Sequence, residues 1–252
     1  MILEHHWSPE QVAGRLRVEN PEDHSRRVSH ETTYQYIYAH PAGELKRILI
    51  QALRQVHHKR RPRSRGKDRR GGIRNMRSIR ERPVEAQARE IRGHWEGDLI
   101  KGAFNGSAIC TLVDRSSRFV ILVKVEDASA EAILEGFTRR LRTLPKAFRQ
   151  TLTYDQGREM ARHQELEHRT GIRVYFADPH SPWQRPTNEN TNGLLRQYFP
   201  KATDLSGYSQ RRLTQVADEL NNRPRKTLGF RTPAEVMAQQ IRELNGSVAL
   251  QN

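Results

Sequence analysis

The sequence has one cysteine and no long hydrophobic run. A single cysteine excludes disulfides within the chain and excludes zinc modules that require a pair of cysteine ligands. No window approaches the roughly 18 apolar residues that span a bilayer, and the N-terminus lacks a basic region followed by an apolar segment. We therefore expect a soluble, cytoplasmic protein without a membrane partner.

The histidine spacing of zinc hydrolases is also missing. His163 and His168 are five residues apart, which does not match the HExxH motif. Cys110 lies in the apolar run AICTLV, where a buried strand residue is a better interpretation than a nucleophile. His94 is interpreted as structural. These residues therefore predict neither zinc nor thiol chemistry.

Acidic residues are scarce relative to basic ones: 29 Asp and Glu stand against 44 Lys and Arg, which gives a net charge of +15. Residues 57–82 contain twelve Lys or Arg and two acids without apolar periodicity, which is typical of a solvated linker. Arg-rich segments release counterions from phosphates, so we expect nucleic acid as the partner rather than an acidic membrane surface. The linker residues predicted to contact DNA are Lys59, Arg60, Arg61, Arg63 and Arg65.

The first 56 residues are predicted to form a small helical region. Ser8 and Pro9 are typical of a helix start, and a second helix is predicted to begin at Ser29. The pair resembles a helix-turn-helix with a long connection, and a plain helical pair is the alternative. In the first case the second helix would reach DNA through His30, Thr33 and Gln35.

From residue 94 the hydrophobic pattern changes to that of strands. The runs HWEGDLI, SAICTLV and RFVILVKV predict three strands, and the helix SAEAILEGFTRRLRTL follows them. The strand TLTY, a helix that closes at Gly171, the strand IRVYFA and a last helix complete the series. This order predicts an α/β layered domain with a mixed five-stranded sheet.

Three acids occupy notable positions in this series. Asp98 lies within the first strand, Asp155 ends the fourth, and Glu189 lies on the helix after the fifth. At one end of a sheet such acids repel each other unless a cation neutralises them, and oxygen-only ligands suit Mg²⁺ or Mn²⁺. Two such ions can activate a nucleophile and stabilise the leaving oxygen at a phosphodiester.

Each acid also has a simpler interpretation. Asp98 can be a surface acid, although it interrupts an apolar strand beside Gly97. Asp155 can be a turn residue, and Glu189 can be a first-turn helix acid that the helix dipole favours. The combination of the three acids favours a shared metal site over these alternatives.

The stretch around Glu189 is rich in amides. Trp183 can stack on an unpaired base near a cut, or it can cover the sheet edge. Uncharged donors and arginines hold phosphates without competing for metal. The residues predicted to contact DNA here are Trp183, Gln184, Arg185, Asn188, Asn190, Asn192 and Arg196.

Four segments together resemble one known family. HWEGDLI, TYDQGRE, YFADPHSPWQRPTNENTNGLLRQYFPK and LNNRPRKTLGFRTPAE are similar to the insertion-sequence-30 type of bacterial transposase, over about residues 8–240. The resemblance implies a ribonuclease-H-like, retroviral-integrase-like core with an Asp-Asp-Glu triad. The matching positions are Asp98, Asp155 and Glu189, and the 33 residues between the last two match the family spacing.

The resemblance also implies an activity, a cofactor and partners. The expected activity is cutting at element ends and joining of the 3′-hydroxyl to target DNA, with two Mg²⁺ or Mn²⁺ ions held by the triad. The expected partners are terminal inverted repeats, target DNA and further copies of the chain, without a small-molecule substrate. The expected organisation is a helical DNA-binding region at 1–56, a basic linker at 57–85, the core at 86–240 and a tail at 241–252.

Three features depart from the family pattern. Gln156 replaces a common Asn, and Pro186 replaces a common Gly and fixes the backbone before Glu189. Members usually carry another helix-turn-helix upstream, so the chain is expected to be a shortened copy or to use an alternative start. A truncated, inactive or inhibitory DNA-binding copy is therefore the alternative function, and a nuclease of the same fold is another.

Overall fold

The computed structural model describes residues 1–53, 73–179 and 181–249. Their contacts divide the chain into two units. A helical unit comprises Met1–Arg70 together with Asn222–Val236, and a sheet unit comprises Gly71–Asn221 together with Met237–Asn252. Asn222–Val236 thus belongs to the helical unit although it follows the strands in the chain, an arrangement that no local sequence pattern indicates.

The helical unit begins with four helices. They are α1 (Ile2–His5), α2 (Pro9–Glu19), α3 (His30–Ala39) and α4 (Glu44–Ala52). Ser8 caps α2, with Pro9 in its first turn, and the Ser29 side chain accepts a hydrogen bond from the backbone of Thr32 at the start of α3. Both predicted helix starts are therefore confirmed, whereas sequence analysis predicted neither α1 nor α4.

The segment 222–236 packs against α2. The Gln11 side chain donates to the Pro224 carbonyl, and the Phe230 ring lies so close to Gly14 that any Cβ there would overlap it. Arg15 donates two hydrogen bonds to Glu235, at 2.8 and 2.7 Å. A glycine at position 14 is therefore required by close packing.

The sheet unit contains five strands, in the order β3-β2-β1-β4-β5. They are β1 (His94–Lys101), β2 (Ala108–Asp114), β3 (Val120–Lys124), β4 (Thr151–Tyr154) and β5 (Arg173–Phe176). The first three pair antiparallel, while β4 runs parallel to β1 and β5 runs parallel to β4. The predicted mixed five-stranded sheet is confirmed.

The remaining helices accompany the strands. They are α5 (Glu85–Ala88), α6 (Ala130–Leu141), α7 (His163–Thr170), α8 (Pro186–Leu195), α9 (Gln210–Asn221) and α10 (Pro233–Ala249). Thr232 and Glu235 form a capping box at the start of α10. Among the described residues no helix is long and apolar enough to cross a membrane.

Strand alternation places a separate core on each face of the sheet. Trp95 and Leu99 of β1 face a cluster that contains Phe137 of α6 and Leu166 of α7. Ile100 follows Leu99 and so points to the opposite face, toward the cluster that contains Leu195 of α8 together with residues of α9. Cys110 is fully buried in the first cluster, and burial raises the pKa of its thiol, as expected for a core residue.

Candidate active site

Asp98 and Asp155 lie level with each other on neighbouring parallel strands. The pairing of β1 with β4 runs from His94 opposite Thr151 to Glu96 opposite Thr153. Two further residues along each chain place Asp98 beside Asp155, on the face that carries Glu96 and Thr153. Adjacent strands are about 4.8 Å apart, so the two carboxylates share one edge of the sheet.

The side chain of Arg185 lies between these two acids. One of its terminal nitrogens donates to the Gly97 carbonyl at 2.8 Å and lies 3.7 Å from the Asp98 carboxylate. The other donates to the Asp155 carboxylate at 3.2 Å. The guanidinium is only 12% exposed, whereas Asp98 and Asp155 are 26% and 44% exposed. Arg185 therefore forms ion pairs with both acids in this structure, whereas the sequence predicted that it contacts a DNA phosphate.

The environment of Asp98 opposes its negative charge. Burial raises the pKa of the Asp98 carboxyl, Arg185 acts in the opposite direction, and the neighbouring Asp155 adds a further increase. The backbone amide of Leu99 donates to Asp98 and partly offsets these increases. The site thus favours a positive charge at the Asp98–Asp155 pair.

Helix α8 is tied to β1 by polar contacts. The Asn192 side chain donates to the Asp98 carboxylate at 2.8 Å. The backbone amide of Asn188 donates to Glu96 at 2.9 Å, and Glu96 also pairs with Arg115 at 2.5 Å. Glu96 is fully buried, and sequence analysis did not identify it. Its alternation with Asp98 along β1 is the signal that could have found it, because both side chains face α8.

Glu189 lies on the first turn of α8 and is exposed. It precedes Asn192 by three residues, and residues three apart share one side of a helix. That spacing directs Glu189 toward the side of α8 that meets Asp98. Across the described residues, however, no group of three or more acids, histidines or cysteines is arranged to hold a metal. The structure thus joins Asp98 to Asp155 but leaves Glu189 apart from the pair.

The other predicted contacts of the amide-rich stretch have different surroundings. Trp183 is 68% exposed, so it does not cover the sheet edge. Asn190 is exposed, whereas Gln184 is bonded to Asp178 and Arg196 donates to the carbonyls of Phe199 and Lys101.

Asn188 is the clearest exception among these residues. It is fully buried, and its side chain accepts a hydrogen bond from Thr111 at 3.1 Å. A phosphate contact at Asn188 does not fit this burial, because the side chain has no solvent-facing surface.

The predicted DNA contacts in the helical unit lie along α3. His30 and Gln35 are exposed, and Thr33 is half-buried, with its hydroxyl donating to the Ser29 carbonyl. Two aromatic residues that sequence analysis did not select, Tyr36 and Tyr38, are also exposed on this helix. The predicted linker contacts Lys59, Arg60, Arg61, Arg63 and Arg65 lie outside the described residues.

The donors at the edge fit a hard divalent cation. Asp98 and Asp155 offer carboxylate oxygens, which Mg²⁺ and Mn²⁺ prefer. The Oδ1 atom of Asn192 is buried without a hydrogen-bond partner in the described part of the chain. A positive charge already meets both carboxylates in the form of Arg185. These oxygen atoms match the ligands of a divalent metal ion, and the charge that they face in this structure is that of Arg185.

A cavity of about 840 Å³ lies at the other edge of the same sheet. Its lining includes His94, Thr151 and Arg173, which are the first residues of β1, β4 and β5. The acidic pair lies where β4 ends, so the cavity does not contain it. The acids face an open edge, which suits an extended substrate better than an enclosed small molecule.

The chain is similar to an integrase core domain family and to transposases of insertion sequences. Residues 88–182 match the model of the integrase core domain family. Over 240 residues the chain is 60% identical to the transposase for insertion sequence element IS1086 of Cupriavidus metallidurans, covering 95% of this chain and 71% of that protein. Over 242 residues it is 46% identical to transposase InsI for IS30A of Escherichia coli, covering 95% of this chain and 63% of that protein.

One solved structure is also similar to this chain. The catalytic core domain of BIV integrase aligns with a TM-score of 0.46 and 17% identity, covering 61% of this chain and 98% of that one. The chain itself spans less than two thirds of the length of the Escherichia coli relative.

Proposed function

Because the chain belongs to the family of insertion-sequence transposases that includes those of IS1086 and IS30A, we propose that it cuts DNA at the ends of its element. The exposed 3′-hydroxyl is then joined to target DNA. Residues 88–182 of the chain match the integrase core domain, which supports polynucleotidyl transfer as the class of reaction. The observation that carries the proposal is that Asp98 and Asp155 lie side by side at the ends of parallel strands, with the Arg185 guanidinium between them.

We assign Asp98, Asp155 and Glu189 as the acids that would hold two divalent metal ions. Bound there, such ions supply charge stabilisation and lower the pKa of a nucleophilic water or hydroxyl. Asp98 on β1 and Asp155, directly after β4, would contribute carboxylate oxygens from one edge of the sheet. Glu189 contributes from the first turn of α8, which the contacts of Asn192 and Asn188 hold against β1.

The surroundings of the acids support a DNA substrate. Trp183 is exposed beside Gln184 and Arg185 and can stack on an unpaired base, which is worth about 1–3 kcal/mol per base. Asn190 is exposed next to Glu189 and can donate to a phosphate. The basic segment 57–82 adds affinity that does not depend on sequence. The element ends and the target DNA are the proposed partners, together with further copies of the chain.

The experiment is a cleavage and strand-transfer assay with the full chain in Mg²⁺ or Mn²⁺. The duplex carries the DNA that flanks the gene on either side, labelled at the 5′ end of the strand that would be cut and joined. The Asp155→Asn variant removes one carboxylate from the edge and retains the side-chain size. The Asp127→Asn variant is the matched control, since Asp127 is an exposed acid in the loop before α6.

We expect the wild type and Asp127→Asn to cut and join, while Asp155→Asn does neither yet binds the duplex. Normal cleavage by a folded Asp155→Asn protein would show that Asp155 is not part of the active site. Cleavage by the wild type without joined products would leave a nuclease of the same fold instead of a transposase.

A further inference from the structure

Four arginines of the sheet unit lie around Glu96 and Thr153, which precede Asp98 and Asp155 by two residues. They are Arg82, Arg89, Arg115 and Arg118. Arg82 and Arg115 are buried, and Arg89 and Arg118 are half-buried. They act on each other at close range: Arg115 and Arg89 lower the pKa of Arg82, and Arg89 and Arg115 lower that of Arg118. In both cases burial is the larger cause.

Two acids act on three of these arginines. Glu96 raises the pKa of Arg82, Arg115 and Arg118, and Asp114 raises that of Arg115 and Arg118. Glu96 is engaged by Arg115 and by the Asn188 amide. Asp114 accepts hydrogen bonds from Gly93, Ser116 and Ser117. Burying charge without compensation is costly, so the cluster favours an added anion.

Two of the arginines have free donor capacity. Arg82 donates to the Thr153 hydroxyl at 3.0 Å, and its Nε atom is buried without a partner in the described part of the chain. Arg89 makes no side-chain hydrogen bond or ion pair within the described residues. Each guanidinium has five N–H donors, so several remain available for oxygen atoms of a ligand.

The two half-buried arginines have unusual backbone conformations. Arg89 has φ 59° and Arg118 has φ 63°, in the left-handed region that residues with a side chain rarely adopt. Arg89 follows α5, and Arg118 lies in the turn between β2 and β3. Such strain persists where the surrounding structure requires it, and it concentrates at functional sites.

The cluster adjoins the start of α8. The Arg118 guanidinium donates to the Thr187 hydroxyl at 2.7 Å, and Thr187 precedes Glu189 by two residues. Arg82 donates to Thr153 on β4, and Asp155 follows two residues later, directly after the end of that strand. Two residues of an extended strand span about 7 Å, so the cluster lies close to the acidic pair on the same face of the sheet.

We propose that Arg89 and Arg118, supported by Arg82, bind a phosphodiester of the DNA strand next to the position that is cut. This inference rests on the proposed function and adds a substrate contact to it. The bound phosphate adds negative charge beside the buried arginines. Planar guanidinium groups hold phosphate oxygens in a fixed orientation, so the contact positions the strand across the acids.

The experiment measures DNA binding in EDTA, where no metal-dependent cutting interferes. Duplexes carry a neutral methylphosphonate at one position at a time near the cut. For the wild type, we expect one position at which neutralisation weakens binding by roughly tenfold, the size of a hydrogen bond to a charged group. For the Arg89→Gln/Arg118→Gln variant, neutralising the phosphate at that position should leave the binding affinity unchanged.

The salt dependence gives a second measure. We expect the double variant to reduce the slope of log K against log salt by about 1 to 2, one for each lost phosphate contact. The matched control is Arg139→Gln/Arg140→Gln, which removes two exposed arginines from α6 on the opposite face of the sheet. The control should retain both the slope and the sensitive position.

The outcomes separate this inference from the proposed function. A double variant that keeps the sensitive position of the wild type, or that changes no more than the control, overturns the inference. If Arg118→Gln fails to fold because Thr187 loses its donor, Arg89→Gln alone should still lose sensitivity at that position. Wild-type protein that shows the phosphate contact but never cuts would overturn the activity and leave this binding site intact.

Discussion

The side-chain amide of Asn192 donates a hydrogen bond to the carboxylate of Asp98 at 2.8 Å. This bond joins α8 to β1 at Asp98, whose side chain is less exposed than that of Asp155. Glu189 is one helical turn nearer the start of α8. The position of Glu189 relative to Asp98 therefore depends on how α8 is fixed to the sheet.

The Glu189→Gln variant should abolish cutting and joining in Mg²⁺ while leaving the fold intact. Glutamine keeps the size and helix propensity but removes the negative charge, so the rate should fall by orders of magnitude. DNA binding should persist, since it depends on basic residues. Cleavage on the end duplex gives the rate, and circular dichroism reports the fold.

The Glu131→Gln variant is the control for this prediction, because Glu131 is also a first-turn helix acid. It should cut normally. Equal activity of the two variants would return Glu189 to the role of a helix-start acid.

The Arg185→Gln variant should destabilise the sheet unit and increase its response to divalent cations. Removing the guanidinium leaves Asp98 and Asp155 facing each other without a counter-ion, which should cost about 1–3 kcal/mol. Added Mn²⁺ should then raise the Tm of the variant more than that of the wild type. Arg173→Gln, an exposed arginine at the start of β5, should show neither effect. Equal Mn²⁺ shifts in all three proteins would contradict the pairing.

The ion pair of Arg15 with Glu235 predicts a pH dependence of stability. Arg15 lowers the pKa of Glu235 to about 2, from a usual value of 4.5. The folded state is therefore favoured while Glu235 is ionised, and this contribution is lost as the pH falls from about 5 to 2. Glu235→Gln should be less stable than wild type at pH 7, with the difference shrinking across that window.

Unfolding in urea at a series of pH values tests this dependence. Glu22→Gln, which removes an exposed acid from the same unit, should parallel the wild type at every pH. A difference between wild type and Glu235→Gln that stays constant down to pH 2 would show that the charge of Glu235 contributes nothing.

The helix α3 should read the element ends. Replacing His30 and Gln35 with alanine removes two exposed side chains that can reach base edges, so protection of the end sequence should weaken at a few base pairs. Binding to random DNA should be unchanged. Footprinting on both duplexes measures this, and unaltered protection of the end sequence would place recognition elsewhere. Point variants are preferable to deletion of residues 1–56, because Asn222–Val236 packs against α2.

Local patterns predicted much of the fold correctly. Ser8, Ser29 and Thr232 cap helices because the groups that they bond lie within a few residues. The alternation of Trp95, Gly97 and Leu99 against Glu96 and Asp98 likewise depends only on the pleat of a strand. The five strands and their order along the chain follow from such patterns. The sequence also indicated the family through four motifs.

The sequence by itself determined the helix starts, the strands, the excess of positive charge and the three acids that the motifs select. Only the tertiary structure decided what surrounds those acids. Arg185 lies between Asp98 and Asp155, Asn188 is buried, and Glu96 holds α8. The physical reason is range: capping and alternation act between neighbours in the chain, whereas Arg185 and Asp98 are 87 residues apart and meet only when α8 packs on β1. Charge balance in a folded interior depends on which distant groups meet, and the sequence pattern does not specify that.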